Sequence, residues 1–323
     1  MKILFFTVFE SSFTEKDYKI LNSAHNVIKV NRELLKIKSI PKLYKLINDC
    51  DAIFLWFASL NFLIPVVISR LFNKKIYIVA GGYDVASVNE FKYGSCNKFY
   101  KKTLVRVMLT LASNIFAVSL SNRKEIISNC KIDSSKIVMI YHGFNNFPNL
   151  NFEKKGNNIL TIALLNKISF RRKGIDKFLL LADLMPEFNF YLIGKYDTFI
   201  KEIFIPKNVK LLGFVELQKL EEILIISKVY IQLSMHEGFG CSVAEAMQYG
   251  CIPVVSNNYA LPEVVGECGL ILDPNTNLNI TASKVRSILV NYNSEMGTKC
   301  VNRVRDKFNL KDRKELLLQN INK

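Results

Sequence analysis

Residues 229–256 read VYIQLSMHEGFGCSVAEAMQYGCIPVVS. A short β-branched and aromatic run, 229–233, leads into a turn at 235–241. A segment of helical character then continues to Tyr249. Gly250 stops that helix, and a second apolar run, 252–256, carries Pro253 just beyond the stop. Parallel neighbouring strands need a crossover between them, usually a helix, so strand, helix and strand in this order predict a parallel sheet.

The alternation extends in both directions. Short apolar runs stand at 2–8, 52–57, 75–80, 114–119 and 136–141. A second series follows at 159–164, 188–193, 209–212, 229–233 and 252–256, with helical segments such as 40–48 and 98–112 between runs. Between the two series lies 144–158, FNNFPNLNFEKKGNN, whose Asn, Pro148 and Gly156 mark a linker. The prediction is an α/β chain of two doubly wound, Rossmann-like domains, 1–150 and 151–309. A charged, leucine-bearing helix in the tail 310–323 is expected to pack back on the first domain. Ligands of such sheets bind at the carboxyl ends of the strands, so two facing domains would enclose a cleft.

At 323 residues, half of them hydrophobic, the chain is long enough for two cores and too apolar for a disordered protein. Its seven cysteines are scattered without a CxxC pair, which reads as reduced thiols of a cytosolic protein and not as a zinc site or disulfide frame. The net charge of +16 is uneven: 21 Lys+Arg against 10 Asp+Glu in 1–150, and 23 against 18 in the remainder. Either the first domain meets an anionic partner, or lysine sits on ordinary solvated faces. The start, MKILFF, enters a strand directly, so no secretory leader is expected. The apolar stretch 52–72 is long enough to cross a bilayer. Its Ala58-Ser59 break, early Asn61 and Pro65, and late Arg70 favour a buried strand followed by a covering helix.

The chemistry concentrates at 236–250. Ser242-Val243-Ala244-Glu245 has the form of a capping box, which would use up Glu245 at its own helix start. That reading leaves Glu237 unexplained, together with the glycines on either side of Phe239. Glycines let backbone N–H groups approach a ligand, a helix amino end favours phosphate, and carboxylates accept hydrogen bonds from sugar or ribose hydroxyls.

EGFGCSVAEAMQYGCIPVV, with Glu237 and Glu245 separated by seven residues, resembles the signature of the retaining GT-B nucleotide-sugar transferases known as group 1. The resemblance continues through Arg171-Arg172-Lys173-Gly174-Ile175-Asp176, Leu192-Ile193-Gly194, Leu212-Gly213-Phe214-Val215, Leu261-Pro262-Glu263-Val264-Val265 and Gly269-Leu270-Ile271. It implies that Glu245 binds the ribose hydroxyls and Glu237 those of the donor sugar. It gives the backbone of Gly238, Phe239, Gly240, Cys241 and Ser242 to sugar and diphosphate, and Lys173 and Lys167 to the charge of the leaving diphosphate. Val215 would lie beside the base, and Asp84 joins Glu237 and Lys173 as an expected catalytic residue. The resemblance further implies a retaining front-face displacement with no metal and no cofactor besides the nucleotide-sugar donor.

The first domain departs from the family pattern. No glycine precedes Gly81, so the loop after the first strand has Glu10-Ser11-Ser12 where relatives often carry a glycine pair. The loop Ala80-Gly81-Gly82-Tyr83-Asp84 has glycine where relatives often have histidine, and His142 stands where they often have Asn. In 91–108, Lys98, Lys101, Lys102 and Arg106 recur at spacings of three and four, a basic stripe suited to anionic headgroups.

The expectation is a cytoplasmic transferase, with the inner face of the cell membrane as a further place of work. It would pass a sugar to a glycan or lipid-linked acceptor in making capsule, O-antigen or lipopolysaccharide. A catalytically inactive nucleotide-sugar-binding relative is the alternative. A nicotinamide-dependent oxidoreductase lacks its GxGxxG, and a nucleic-acid binder lacks clustered base-reading Arg, so no nucleic-acid partner is expected.

Overall fold

The computed structural model describes residues 1–322. Twelve strands carry the fold: β1 (Lys2–Thr7), β2 (Asn26–Lys29), β3 (Ala52–Trp56), β4 (Lys75–Ala80), β5 (Asn114–Ala117), β6 (Ile137–Met139), β7 (Gly156–Ile162), β8 (Asn189–Ile193), β9 (Val209–Gly213), β10 (Ser227–Gln232), β11 (Ile252–Ser256) and β12 (Leu270–Leu272). They form two six-stranded sheets, ordered β2-β1-β3-β4-β5-β6 and β12-β11-β10-β7-β8-β9, with every pairing parallel. The expected runs all became strands. The two that sequence reasoning missed, β2 and β12, are four and three residues long and lie at sheet edges, where apolar patterning is weakest.

The chain divides into two compact domains, Met1–Gly143 with the carboxyl-terminal chain from Leu310, and Phe144–Asn309. The boundary therefore falls at the first residue of the expected linker, not within it. Most of that linker is bound to the second domain. Phe144 is buried and its N–H donates to the Phe308 carbonyl at 2.8 Å, and the Asn146 side chain donates to Glu221 and to the Tyr249 hydroxyl, both at 2.9 Å. Asn and Pro announce irregular backbone; they do not announce what that backbone packs against.

In the first domain β3 is buried along its whole length, and Leu4, Phe6, Ile53, Leu55, Ile76 and Ile78 sit in one apolar cluster. The stretch 52–72 folds as this strand, a short 3-10 turn and the helix Leu63–Leu71. Among the described residues no helix is long and apolar enough to cross a membrane. The helix Leu310–Ile321 joins the first domain through Arg313. Its guanidinium donates to both carboxylate oxygens of buried Asp17 at 2.7 and 2.6 Å, and to the carbonyls of Ile140 and Tyr141 at 3.0 and 2.6 Å. All of these acceptors lie within the first domain, so the ion pair anchors the helix.

The second domain packs Ile159, Phe178, Phe190, Leu192, Val229 and Ile231 into its own core. All seven cysteines are free thiols, although Cys96 and Cys130 place their sulfurs 3.5 Å apart, a proximity that their sequence separation conceals.

Candidate active site

In the second sheet the chain steps outward from β7 through β8 to β9, then returns to the other side of β7 and steps through β10 to β12. The order reverses between β7 and β10, and open α/β sheets bind ligands at the carboxyl ends of such a pair. Two loops meet there.

The first follows β7. Asn166 caps the helix Lys167–Arg172 by accepting the Ser169 N–H at 2.8 Å, and Gly174, at φ +71°, turns the chain into the helix Ile175–Leu184. A Cβ on Gly174 would stand 2.5 Å from the Leu233 carbonyl oxygen, so glycine allows this turn to lie against the end of β10. Two bonds tie the loops together. The Met235 N–H donates to the Arg172 carbonyl at 2.7 Å, and the Arg172 guanidinium donates to the His236 carbonyl at 3.1 Å.

Lys173 is thereby held beside Glu237. Its Nζ lies 2.5 Å from Glu237 Oε1, which Arg172 approaches at 3.8 Å and to which Gln232 and Ser234 each donate at 2.9 Å. The two side chains keep 19% and 11% of their surface exposed, so the pair is enclosed but not sealed. Burial pushes the Glu237 pKa up; the charges of Lys173 and Arg172, with hydrogen bonds from Lys173 and Ser234, outweigh it and hold the carboxyl below its usual range. Glu237 is ionised at neutral pH. Apolar side chains of similar volume would give comparable or greater stability than an enclosed ion pair, so such a pair at a switch point points to function.

The second loop ends in the helix Cys241–Gln248, which starts at Gly240 with φ +104° and no side-chain cap. This corrects the capping-box expectation: Ser242 lies inside the helix and hydrogen-bonds the Tyr230 hydroxyl instead. A left-handed glycine opens the helix two residues early and moves Ser242 off the capping position. Phe239 is buried, stacked on Phe144 at 6.2 Å and edge-on to Phe308 at 5.2 Å, so only its backbone is available to a ligand. Glu245 sits half-buried one turn into the helix, near enough to Tyr230 and Tyr249 for its charge to add to the burial that raises both phenols.

The structure thus brings Lys173, Glu237 and the turn from Gly238 to Ser242 to one place. Lys167 is exposed at the first position of its helix on the same β7 loop. Val215 follows β9, the edge strand, and β8 lies between it and β7. Sequence reasoning gave no role to Arg172, Gln232 and Ser234. The signal was there: Tyr230 and Gln232 alternate with Val229 and Ile231 in β10, and Ser234 continues the two-residue spacing just beyond it.

Asp84 has a different place from the catalytic one expected. It is 2% exposed, and its oxygens accept the N–H groups of Ala58 at 2.9 Å and Gly82 at 3.0 Å, tying the loop after β3 to the loop after β4. Burial raises its pKa to about 6 against those two bonds. His142 is buried between Trp56 and Phe13, with ring centroids at 5.8 and 5.3 Å, and burial followed by the charges of Arg313 and Lys16 keeps it neutral. Asp49-Cys50-Asp51 has the DxD spacing of a metal anchor. It precedes β3, at the amino edge of the sheet, where Asp51 accepts the Lys2 N–H at 2.7 Å. Among the described residues no three His, Cys, Asp or Glu side chains gather as metal ligands would.

Two doubly wound domains, with an enclosed acid–base pair at the switch point of the second, define a Rossmann-like ligand-binding protein. The family model for glycosyl transferases group 1 matches residues 145–307, half of the chain, and the chain belongs to that family. Over 80 residues it is 38% identical to the O-antigen chain mannosyltransferase B of Escherichia coli, a match covering 25% of this chain and 21% of that protein. Its fold is similar to that of Anabaena HepE, solved with UDP and glucose (TM-score 0.77, 14% identity, 100% of this chain and 99% of the other). It is also similar to sucrose-phosphate synthase from Thermosynechococcus elongatus (TM-score 0.79, 15% identity, 99% and 98%). The fold is GT-B.

Proposed function

We propose that the protein is a glycosyltransferase that moves a sugar from a nucleoside-diphosphate sugar to a glycan or lipid-linked acceptor with retention of anomeric configuration. The observation that carries this reading is the Lys173–Glu237 pair, 2.5 Å apart at the β7/β10 switch point beside an uncapped helix start. As the bond between the anomeric carbon and the diphosphate oxygen breaks, negative charge grows on the diphosphate. Lys173, Lys167 and the peptide dipoles at Gly240–Ser242 oppose it, so no buried acid need protonate the leaving group. Ionised Glu237 accepts hydrogen bonds from donor-sugar hydroxyls, and Glu245 accepts those of the ribose. Asp84 acts as a positioning residue, and the transfer proceeds without a metal.

The group 1 family supports the transferase reading, and the O-antigen relative supports a place in cell-envelope polysaccharide synthesis. A membrane surface is the second partner of this reading. The helix Phe99–Leu111 buries Val105, Met108 and Leu109 while leaving Phe99 87% exposed, with Lys98 and Arg106 also exposed. The helix Leu63–Leu71 packs beside it and exposes Ile64, Val67 and Leu71. Apolar tips among cations suit an anionic lipid interface.

Thermal-shift titration with UDP, GDP, ADP and their sugars tests the reading. One nucleotide should raise the melting temperature in proportion to the logarithm of its excess over Kd. No shift with any of them would overturn it.

A further inference from the structure

At the switch point of the first domain, where the order reverses between β1 and β3, the chain places phenylalanine rings where the second domain places charges. Phe9, in the loop after β1, is 48% exposed. It stacks on Phe57, the first residue after β3, with centroids 5.2 Å apart and planes 29° apart. Phe13 meets both rings edge-on at 6.3 Å and lies 4.9 Å from the ring of Trp56 behind them.

The position of Phe57 is enforced. Its φ is +74°, a conformation that a side chain with a Cβ rarely adopts, and it is pinned on both sides. Its own N–H donates to the Val79 carbonyl at 2.9 Å, and the next N–H, that of Ala58, donates to Asp84. Its ring occupies the space beside Gly81, where a Cβ would fall 2.1 Å from Phe57 Cε1. Glycine at position 81 is therefore the room the ring requires. Asp84, Gly81 and a strained backbone together hold one aromatic face at the carboxyl edge, and strain of this kind concentrates at ligand-binding sites.

We infer that Phe9 and Phe57 form a stacking subsite for a pyranose ring, the acceptor's sugar if the transferase reading holds. Flat ring faces carry partial negative charge, and the C–H groups along one face of a pyranose carry partial positive charge. A sugar can rest on such a platform while its hydroxyls remain in water. The chemistry selects sugars with an unbroken C–H face and rejects phosphate, since no glycine loop stands after β1 to receive one.

Trp56 is the only tryptophan of the chain and its ring lies 5.5 Å from that of Phe57, which makes it a built-in reporter. The test is to titrate wild type, Phe9→Leu and Phe57→Gly with methyl glycosides of mannose, glucose and galactose, following Trp56 fluorescence and saturation-transfer NMR. Phe9→Leu keeps an apolar side chain without the π face. Phe57→Gly removes the ring together with the backbone strain, so a folded variant is expected. At least one glycoside should bind wild type saturably, receiving saturation on one ring face, and roughly three- to tenfold more weakly in each variant. No saturable binding by wild type, equal binding by the variants, or a response to free nucleosides in place of sugars would overturn the inference. Nucleotide-induced thermal shifts in the same variants separate the two claims: they depend on the second domain alone and fail only if the transferase reading fails.

Discussion

The carboxyl edges of the two sheets share a topology and differ in chemistry. At the β7/β10 edge Lys173 and Glu237 keep part of their surface exposed, and Gly174 and Gly240 let the two loops turn close against their neighbours. At the β1/β3 edge Glu10 is exposed, but the buried acids are taken up by the fold. Asp84 is bound to two backbone N–H groups, Asp17 is locked by Arg313, and the stacked rings of Phe9 and Phe57 stand at the edge with Phe9 half exposed. Charge in the first case keeps part of its surface exposed; in the second, that of Asp84 and Asp17 is consumed by the fold. The same winding thus gives a polar site or an aromatic one according to which residues occupy the turns after the central strands.

The sharpest way to break this contrast is to remove one cation from each edge. Arg313→Ala leaves buried Asp17 without its guanidinium partner and detaches the last helix, a loss of about 3–5 kcal/mol by urea denaturation. Lys173→Ala should leave the unfolding midpoint nearly unchanged. A structural Lys173 or a dispensable Arg313 would erase the distinction.

The basic helix comes next. With about 1 kcal/mol for each basic residue near an anionic surface, replacing Lys98, Lys101, Lys102 and Arg106 by Gln should abolish salt-sensitive sedimentation with anionic liposomes. Equal binding of wild type to neutral and anionic vesicles would remove the membrane from the account. Lys173→Ala should also slow turnover by roughly a hundred- to a thousandfold, with a smaller change in donor affinity, because it opposes charge that grows as the bond breaks.

A smaller effect sharpens the comparison through pH. Asp84 has a folded pKa of about 6 against an ordinary 3.8, so the folded state holds its proton more tightly than the unfolded chain. Its contribution to stability therefore falls as pH rises from about 4 through 6, by roughly 1–3 kcal/mol. His142 is depressed well below 6.5 and works in the opposite sense, losing stability as pH falls below 6.5. Only the difference between wild type and Asp84→Asn isolates the Asp84 slope. Parallel pH profiles for the two proteins would contradict the buried-carboxylate account.

How much of this could be read beforehand follows from the same contrast. The second domain's strands, its glycine turns and the Glu237–Glu245 spacing were legible, because alternation and turn chemistry are local. Gln232 and Ser234 were legible in principle from their two-residue spacing. The cap at Ser242 misled, since a left-handed glycine at Gly240 can open the helix without it. The fate of Asp84 was not legible. It depends on Ala58, brought beside it only when β3 pairs with β4, and the same pairing seats the Phe57 ring over Gly81.

We propose that the second domain's switch point holds the donor. Calorimetric titration of the nucleoside diphosphate found by thermal shift tests it most directly, comparing wild type with Glu245→Ala and Phe9→Leu. The account predicts one site in wild type, weakened by roughly 1.5–3 kcal/mol in Glu245→Ala as the ribose loses a charged acceptor, and unchanged in Phe9→Leu. Undiminished affinity in folded Glu245→Ala, or a loss confined to Phe9→Leu, would contradict it.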